Sequence, residues 1–208
     1  MKIFGVVATL LLCACMASAG SSPAVSFTSV NTNFTNGTWS LGWQFTTNAA
    51  VDVTALGFYD AGLTGGSQGL AGCVGCGQVG IYNSTGTLLV TGLVTTLGTL
   101  VGDFYYVNVP LTLLAPGQTY FVVAETGNAQ YTWNPNGFSA NPDINFVKDA
   151  YVFSPVLAFP TSSSGVTGWF GANFLFNPVA TPEPSSLMMM GSGLALMGPW
   201  LRRRLTRS

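Results

Sequence analysis

The chain has 208 residues, of which 6% are charged and none is histidine. Its 26 glycines and 11 prolines are many, but they stay below the level of low-complexity disorder, and 12% aromatics supply the burial that a disordered chain lacks. Away from the termini one cation, Lys148, stands against Asp52, Asp60, Asp103, Glu125, Asp143 and Asp149; a mildly acidic middle without arginine cannot release phosphate counterions, which excludes nucleic acid as a partner.

Met1-Lys2, the apolar run from Ile3 to Leu12 and the small residues Ala17-Ser18-Ala19 supply the positive start, apolar core and cleavage site of a secretory signal peptide. Residues 1–19 are expected to be removed by signal peptidase after Ala19, leaving 20–180 as the folded domain. A second cut stays open, because Leu12-Cys13-Ala14-Cys15 resembles a lipoprotein box that would leave a lipidated Cys15.

In the domain, Trp39, Leu41, Trp43 and Phe45 alternate with small or polar residues, the period of 2 of a strand with one buried face. Val51–Tyr59, Gln78–Asn83, Leu88–Thr91, Phe104–Val109, Thr119–Glu125 and Trp169–Phe176 have the same character. Turn signals separate them at Asn48-Ala49, Ser84-Thr85-Gly86, Pro116-Gly117 and Asn134 to Gly137. No helical stripe and no internal repeat interrupts this pattern. The expectation is all-β: one antiparallel β-sandwich of about 8–11 strands, with a jelly roll as one form, followed by a hydrophobic helix near the C-terminus.

The domain is poor in catalytic chemistry. Its serines have no histidine to activate them. Glycoside hydrolysis needs only two carboxylates, so Asp60, Asp103, Asp143 and Asp149 are candidates by elimination, with turn and loop roles as the plainer reading. Cys73-Val74-Gly75-Cys76 lacks the second cysteine pair or histidines that zinc requires and the strand-to-helix setting of a redox motif. In an oxidising envelope a disulfide between Cys73 and Cys76 is expected, with free thiols or a metal as the other readings. No cofactor is expected; calcium is the alternative, through loop oxygens at Asp60-Ala61-Gly62 and Asp143-Ile144-Asn145. Asn33, Asn36 and Asn83 stand in formal glycosylation sequons and read as strand-edge polar residues. Tyr131, Trp133, Trp169 and Phe138 lie near Asn- and Gly-rich loops; aromatics so placed either stack on sugar rings or pack the core.

The chain then reads Thr181-Pro182-Glu183-Pro184, an uncharged stretch from Ser185 to Leu201, and Arg202-Arg203-Arg204. The prolines force an extended linker. As a helix the stretch spans about 25 Å, slightly short of a bilayer core of about 30 Å, and the arginines mark its cytoplasmic side. This tail, residues 181–208, resembles the PEP-CTERM sorting signal of Gram-negative bacteria in its Pro182-Glu183-Pro184 motif, apolar helix and Arg202–Arg204 cluster. The resemblance implies recognition by an exosortase-like membrane enzyme, a transient inner-membrane span at 185–201, and release to the cell surface or medium of a bacterium that makes exopolysaccharide. Leu41 to Thr46, Val53 to Asp60, Gln78 to Leu89 and Leu114 to Val123 are similar to an exported bacterial sandwich domain of unknown function.

The expected function is therefore that of an exported, non-enzymatic surface or matrix protein. A carbohydrate-binding module on exopolysaccharide, with Tyr131, Trp133 and Trp169 as contacts, is the alternative, and a carboxylate-based glycosidase is a third reading.

Overall fold

The computed structural model describes residues 20–179 apart from 36, 61–68, 74 and 166–167. Among the described residues the strands in chain order are β1 (Ser22–Pro23), β2 (Val25–Ser26), β3 (Thr32–Phe34), β4 (Trp39–Thr47), β5 (Val51–Tyr59), β6 (Gln78–Asn83), β7 (Leu88–Leu93) and β8 (Thr99–Val101), then β9 (Phe104–Leu114), β10 (Thr119–Glu125), β11 (Tyr131–Trp133), β12 (Ser139–Ala140), β13 (Ile144–Phe153), β14 (Trp169–Phe170) and β15 (Ala172–Pro178). Among the described residues every strand pairing is antiparallel. One five-stranded sheet has the order β1-β15-β5-β9-β8 and the other β13-β4-β10-β6-β7.

The arrangement is a jelly roll. Taking β1, β4, β5, β6, β7, β9, β10 and β15 as its eight principal strands, the first pairs with the last, the second with the seventh, the third with the sixth and the fourth with the fifth. That nesting is what results when a long antiparallel ribbon rolls up into two sheets. β13 is an additional strand laid beside β4.

The inner faces of the two sheets make the core. Trp43 and Phe45 of β4, Leu56 and Phe58 of β5, Ile81 of β6, Val122 of β10, and Phe174 and Phe176 of β15 are fully buried. Trp43 stacks on Phe174 at 5.8 Å, and its Nε1 donates to the Ala172 carbonyl of the opposite sheet at 2.9 Å. Asn173, also fully buried, clips the N-terminal segment to β15: its Nδ2 donates to the Val25 carbonyl at 2.8 Å and its Oδ1 accepts from the Val25 amide at 3.3 Å. Each buried aromatic or large aliphatic side chain contributes roughly 1.5–3 kcal/mol of hydrophobic stabilisation.

Two expected strands change shape. The run expected as Trp169–Phe176 divides at Gly171 into β14 and β15, which belong to different sheets. β13 is absent from the expected strands because a bulge between Phe146 and Lys148 breaks its alternation. After β13 the chain crosses the outer face of its sheet, where the Ala158 amide donates to the Ser40 hydroxyl at 2.9 Å and Phe159 packs on Tyr82 and Phe121. It returns along the free edge of β13, pairing Ser162 with Tyr151. Among the described residues no helix is long and apolar enough to cross a membrane. The expected signal peptide, Cys15 and the tail lie outside the described residues.

Candidate functional site at the open end of the sandwich

β4 runs from the core towards one end of the sandwich with Phe45, Trp43, Leu41 and Trp39 on its inner face. At that end a third sheet, β14-β11-β3, adds Trp169, Tyr131 and Phe34. The space between is a pocket of about 180 Å³ lined by Trp39, Leu41, Tyr131, Tyr151, Ser164 and Trp169. Its walls are aromatic and none of these side chains is charged.

The walls are fixed by local hydrogen bonds. The backbone of Trp39 is held by Thr126, whose Oγ1 accepts from the Trp39 amide at 3.0 Å and whose amide donates to the Trp39 carbonyl at 2.8 Å. Trp39 meets Tyr151 edge-on at 5.8 Å and Phe153 at 5.2 Å. Opposite it, Trp169 meets Tyr131 at 5.6 Å, Phe34 at 5.4 Å and Trp133 at 5.8 Å. Thr132 anchors the small sheet by donating from Oγ1 to the Thr32 carbonyl at 2.8 Å. Burial raises the Tyr131 hydroxyl above its ordinary pKa, so it stays protonated across the neutral range.

Ser164 reaches the pocket because Asp149 holds it there. Asp149 is fully buried on β13. Its Oδ2 accepts from the Ser164 amide and hydroxyl, each at 2.8 Å, and its Oδ1 accepts from the Gly165 amide at 3.0 Å and the Ser163 hydroxyl at 3.1 Å. The Ser164 hydroxyl in turn accepts from Trp169 Nε1 at 3.2 Å. A relay of Trp169 to Ser164 to Asp149 thus orients one wall of the pocket.

Of the residues singled out in the sequence, the structure brings Tyr131, Trp133 and Trp169 together on adjacent strands, with Trp133 beside the pocket and not on its lining. Phe138 goes elsewhere, packing on Phe146 and Phe170 at the core. The four carboxylates do not converge on the pocket. Asp60 and Asp103 are neighbours through a backbone hydrogen bond of 2.9 Å, and Asp60 Oδ1 accepts from the Leu70 amide at 3.1 Å. Asp143 sits in a turn closed by Asn141 Oδ1 at 3.1 Å. Burial raises the pKa of Asp103. Of the two calcium candidates, Asn145 has its amide donating to Thr46 Oγ1 at 3.3 Å, and among the described residues no group of three His, Cys, Asp or Glu side chains gathers around a common point. The sequon residue Asn83 caps its own turn, accepting from the Thr85 and Thr87 amides, and Asn33 accepts from the Tyr59 hydroxyl at 2.7 Å.

Cys73 and Cys76 are joined by a disulfide, with Cα atoms 6.0 Å apart. The turn it closes places Gly75 at φ 66°, a conformation glycine adopts without a Cβ clash. The loop is tied to the sheet by the Gly77 amide, which donates to the Glu125 carbonyl at 3.2 Å, and by the Gly77 carbonyl, which accepts from Val94 at 2.8 Å.

The PEP-CTERM protein-sorting motif matches residues 180–205. The chain carries a PEP-CTERM tail. The match includes Pro182, Glu183, Pro184 and Arg202, Arg203 and Arg204, and it supports export and exosortase-type sorting through the membrane to the cell surface. No curated protein matches the chain. The chain therefore combines a sorting motif at residues 180–205 with a jelly-roll domain whose open end carries an aromatic pocket.

Sequence reasoning missed Trp39, Tyr151, Ser164 and Asp149 as partners in this pocket. Trp39 was visible as the outermost member of the β4 inner row. Ser164 and Asp149 had no local signal, because their meeting depends on the chain returning along the edge of β13.

Proposed function

We propose that this is a non-enzymatic surface or extracellular-matrix protein, delivered outside a Gram-negative cell by signal peptidase and an exosortase-like enzyme. The observation that carries this reading is the sorting motif at 180–205 on a chain without histidine, which lacks the commonest general base. Mass spectrometry of both ends of the protein, from the envelope and from the medium, tests it. The reading expects a new C-terminus close to Pro184 and no Arg202–Arg207 peptide outside the cell. An intact tail in every fraction would mean a permanent single-span anchor instead.

A second reading, a carbohydrate-binding module on exopolysaccharide, is favoured by the aromatic pocket. Stacked and edge-on rings around a cleft offer the flat apolar faces that sugar C–H groups pack against, with a hydroxyl at the rim to orient the ring. Retention on immobilised polysaccharide that falls on Trp169→Ala supports it; no retention on any polysaccharide sinks it. A third reading, a carboxylate-based glycosidase, requires two carboxyl groups about 5–10 Å apart across the bond to be cut. The pocket lining holds no carboxylate, and both oxygens of Asp149 are engaged by the Ser163–Gly165 segment. Sugar release that disappears in Asp-to-Asn variants of Asp60, Asp103, Asp143 or Asp149 would restore it.

A further inference from the structure

Resting on the carbohydrate-binding reading, we propose that the pocket selects uncharged sugar rings over uronates, and that Asp149 sets this choice as a positioning residue. The lining offers four aromatic rings, one leucine and one serine hydroxyl, and no cation. A uronate carboxylate entering there would be desolvated with no cation on the lining to pair with, a costly event in recognition that neutral N–H and O–H donors offset only in part. The single lysine of the domain cannot help. Lys148 is exposed, and on β13 it pairs with Gln44, whereas Asp149 pairs with Trp43 on the inner row; neighbouring residues of a strand point to opposite faces.

The formal charge bonded directly to the pocket lining is negative. Asp149 lies one hydrogen bond behind Ser164, is fully buried, and has four donors on its two oxygens. Through a wall that excludes water its charge repels an anion more strongly than a surface carboxylate would. The same four bonds fix Ser164, and with it Trp169 Nε1, so that the Trp169 ring presents a set orientation. The Ser164 hydroxyl spends its proton on Asp149, which leaves it facing a ligand only as an acceptor. An acceptor suits the hydroxyl protons of a neutral sugar and opposes a carboxylate. One carboxylate thus both shapes the wall and sets its sign.

Affinity electrophoresis of the purified full chain tests this, with neutral dextran, galactan and mannan in one set of gels and alginate, a polyuronate, in another. Retardation by at least one neutral polysaccharide about tenfold stronger than by alginate is expected, which corresponds to about 1.4 kcal/mol. Equal or stronger retardation by alginate overturns the selectivity and leaves carbohydrate binding standing. No retardation by any of the four overturns the binding reading itself, and the selectivity with it. Asp149→Asn keeps the shape but turns an amide nitrogen towards donors; it should weaken neutral binding and shrink the neutral-to-alginate ratio, a change that mere loosening of the fold does not produce. Should that variant fail to fold, Ser164→Ala breaks the relay and leaves Asp149 in place. An unchanged ratio in a folded Ser164→Ala protein overturns the part assigned to the Asp149–Ser164–Trp169 hydrogen bonds in the choice.

Discussion

Trp43 and Trp39 stand four residues apart on the same face of the same strand, yet their surroundings differ. Trp43 is fully buried between the sheets, stacked on Phe174, with its indole N–H donated to the Ala172 carbonyl of the opposite sheet. Trp39 is half-buried at the open end, lines a pocket, and its Nε1 has no hydrogen-bond partner among the described residues. The second sheet accounts for the difference. Where β15 covers β4, every ring has a partner and the aromatic row is core. Where β15 gives way to the small sheet of β3, β11 and β14, the same row becomes a wall. One alternating pattern in the sequence thus serves two purposes.

The largest effect should come from breaking the covered half. Trp43→Ala removes a fully buried ring and orphans the Ala172 carbonyl, and is expected to cost about 3–5 kcal/mol in denaturant unfolding. Trp39→Ala should cost clearly less, because the ring is only half-buried, while lowering polysaccharide retention. Equal losses of stability would mean that the open end is core and would undo the comparison. Next in size is Asn173→Ala, which strands both backbone groups of Val25 in a buried site; a loss of about 1–3 kcal/mol is expected by the same measurement.

Much of the covered half was legible in the sequence. Val51–Tyr59, Gln78–Asn83 and Thr119–Glu125 each form the strand expected, although a bulge between Val53 and Ala55 shifts the core-facing row of Val51–Tyr59 from Val51 and Val53 to Leu56 and Phe58. β13 was not legible because a bulge puts Val147 and Lys148 in succession on the exposed side, and a period of 2 read across a bulge loses its phase. The pocket was legible only as types of residue. Tyr131, Trp133 and Trp169 draw attention as aromatics near polar loops. That Tyr131 and Trp169 share a pocket with Trp39 and Tyr151 depends on contacts between residues far apart in sequence, which no local pattern records. Asp149 reads in the sequence as one carboxylate among several, and only its four donors distinguish it.

Alkaline titration sharpens the comparison from the covered side. Burial raises the hydroxyl of Tyr106 far above the ordinary tyrosine value, and burial, with Asp103 beside it, does the same for Tyr59. The unfolded chain releases these protons near pH 10 while the folded protein keeps them. The stability they contribute is therefore fully present below about pH 10 and is lost as pH rises above it. Unfolding midpoints followed upwards from about pH 9 should fall in the wild type. They should fall less steeply in Tyr106→Phe, which also removes a buried hydroxyl that has no partner among the described residues.

The smallest expected change is the most discriminating. Phenylalanine in place of either tryptophan keeps an aromatic ring and deletes the indole N–H. At Trp43 that donor is engaged, so Trp43→Phe leaves the Ala172 carbonyl buried and unpaired as well as opening space, at about 1–3 kcal/mol. At Trp39 the deleted donor is unpaired among the described residues, and its loss relieves a desolvated group. Trp39→Phe should accordingly change stability by less than about 1 kcal/mol, measured in the same denaturant series. A large loss at Trp39 would mean that its N–H is bonded and that this end of the row is held as tightly as the other. A near-neutral result, with weakened retention on polysaccharide, would mean that the ring is kept for what it meets from outside.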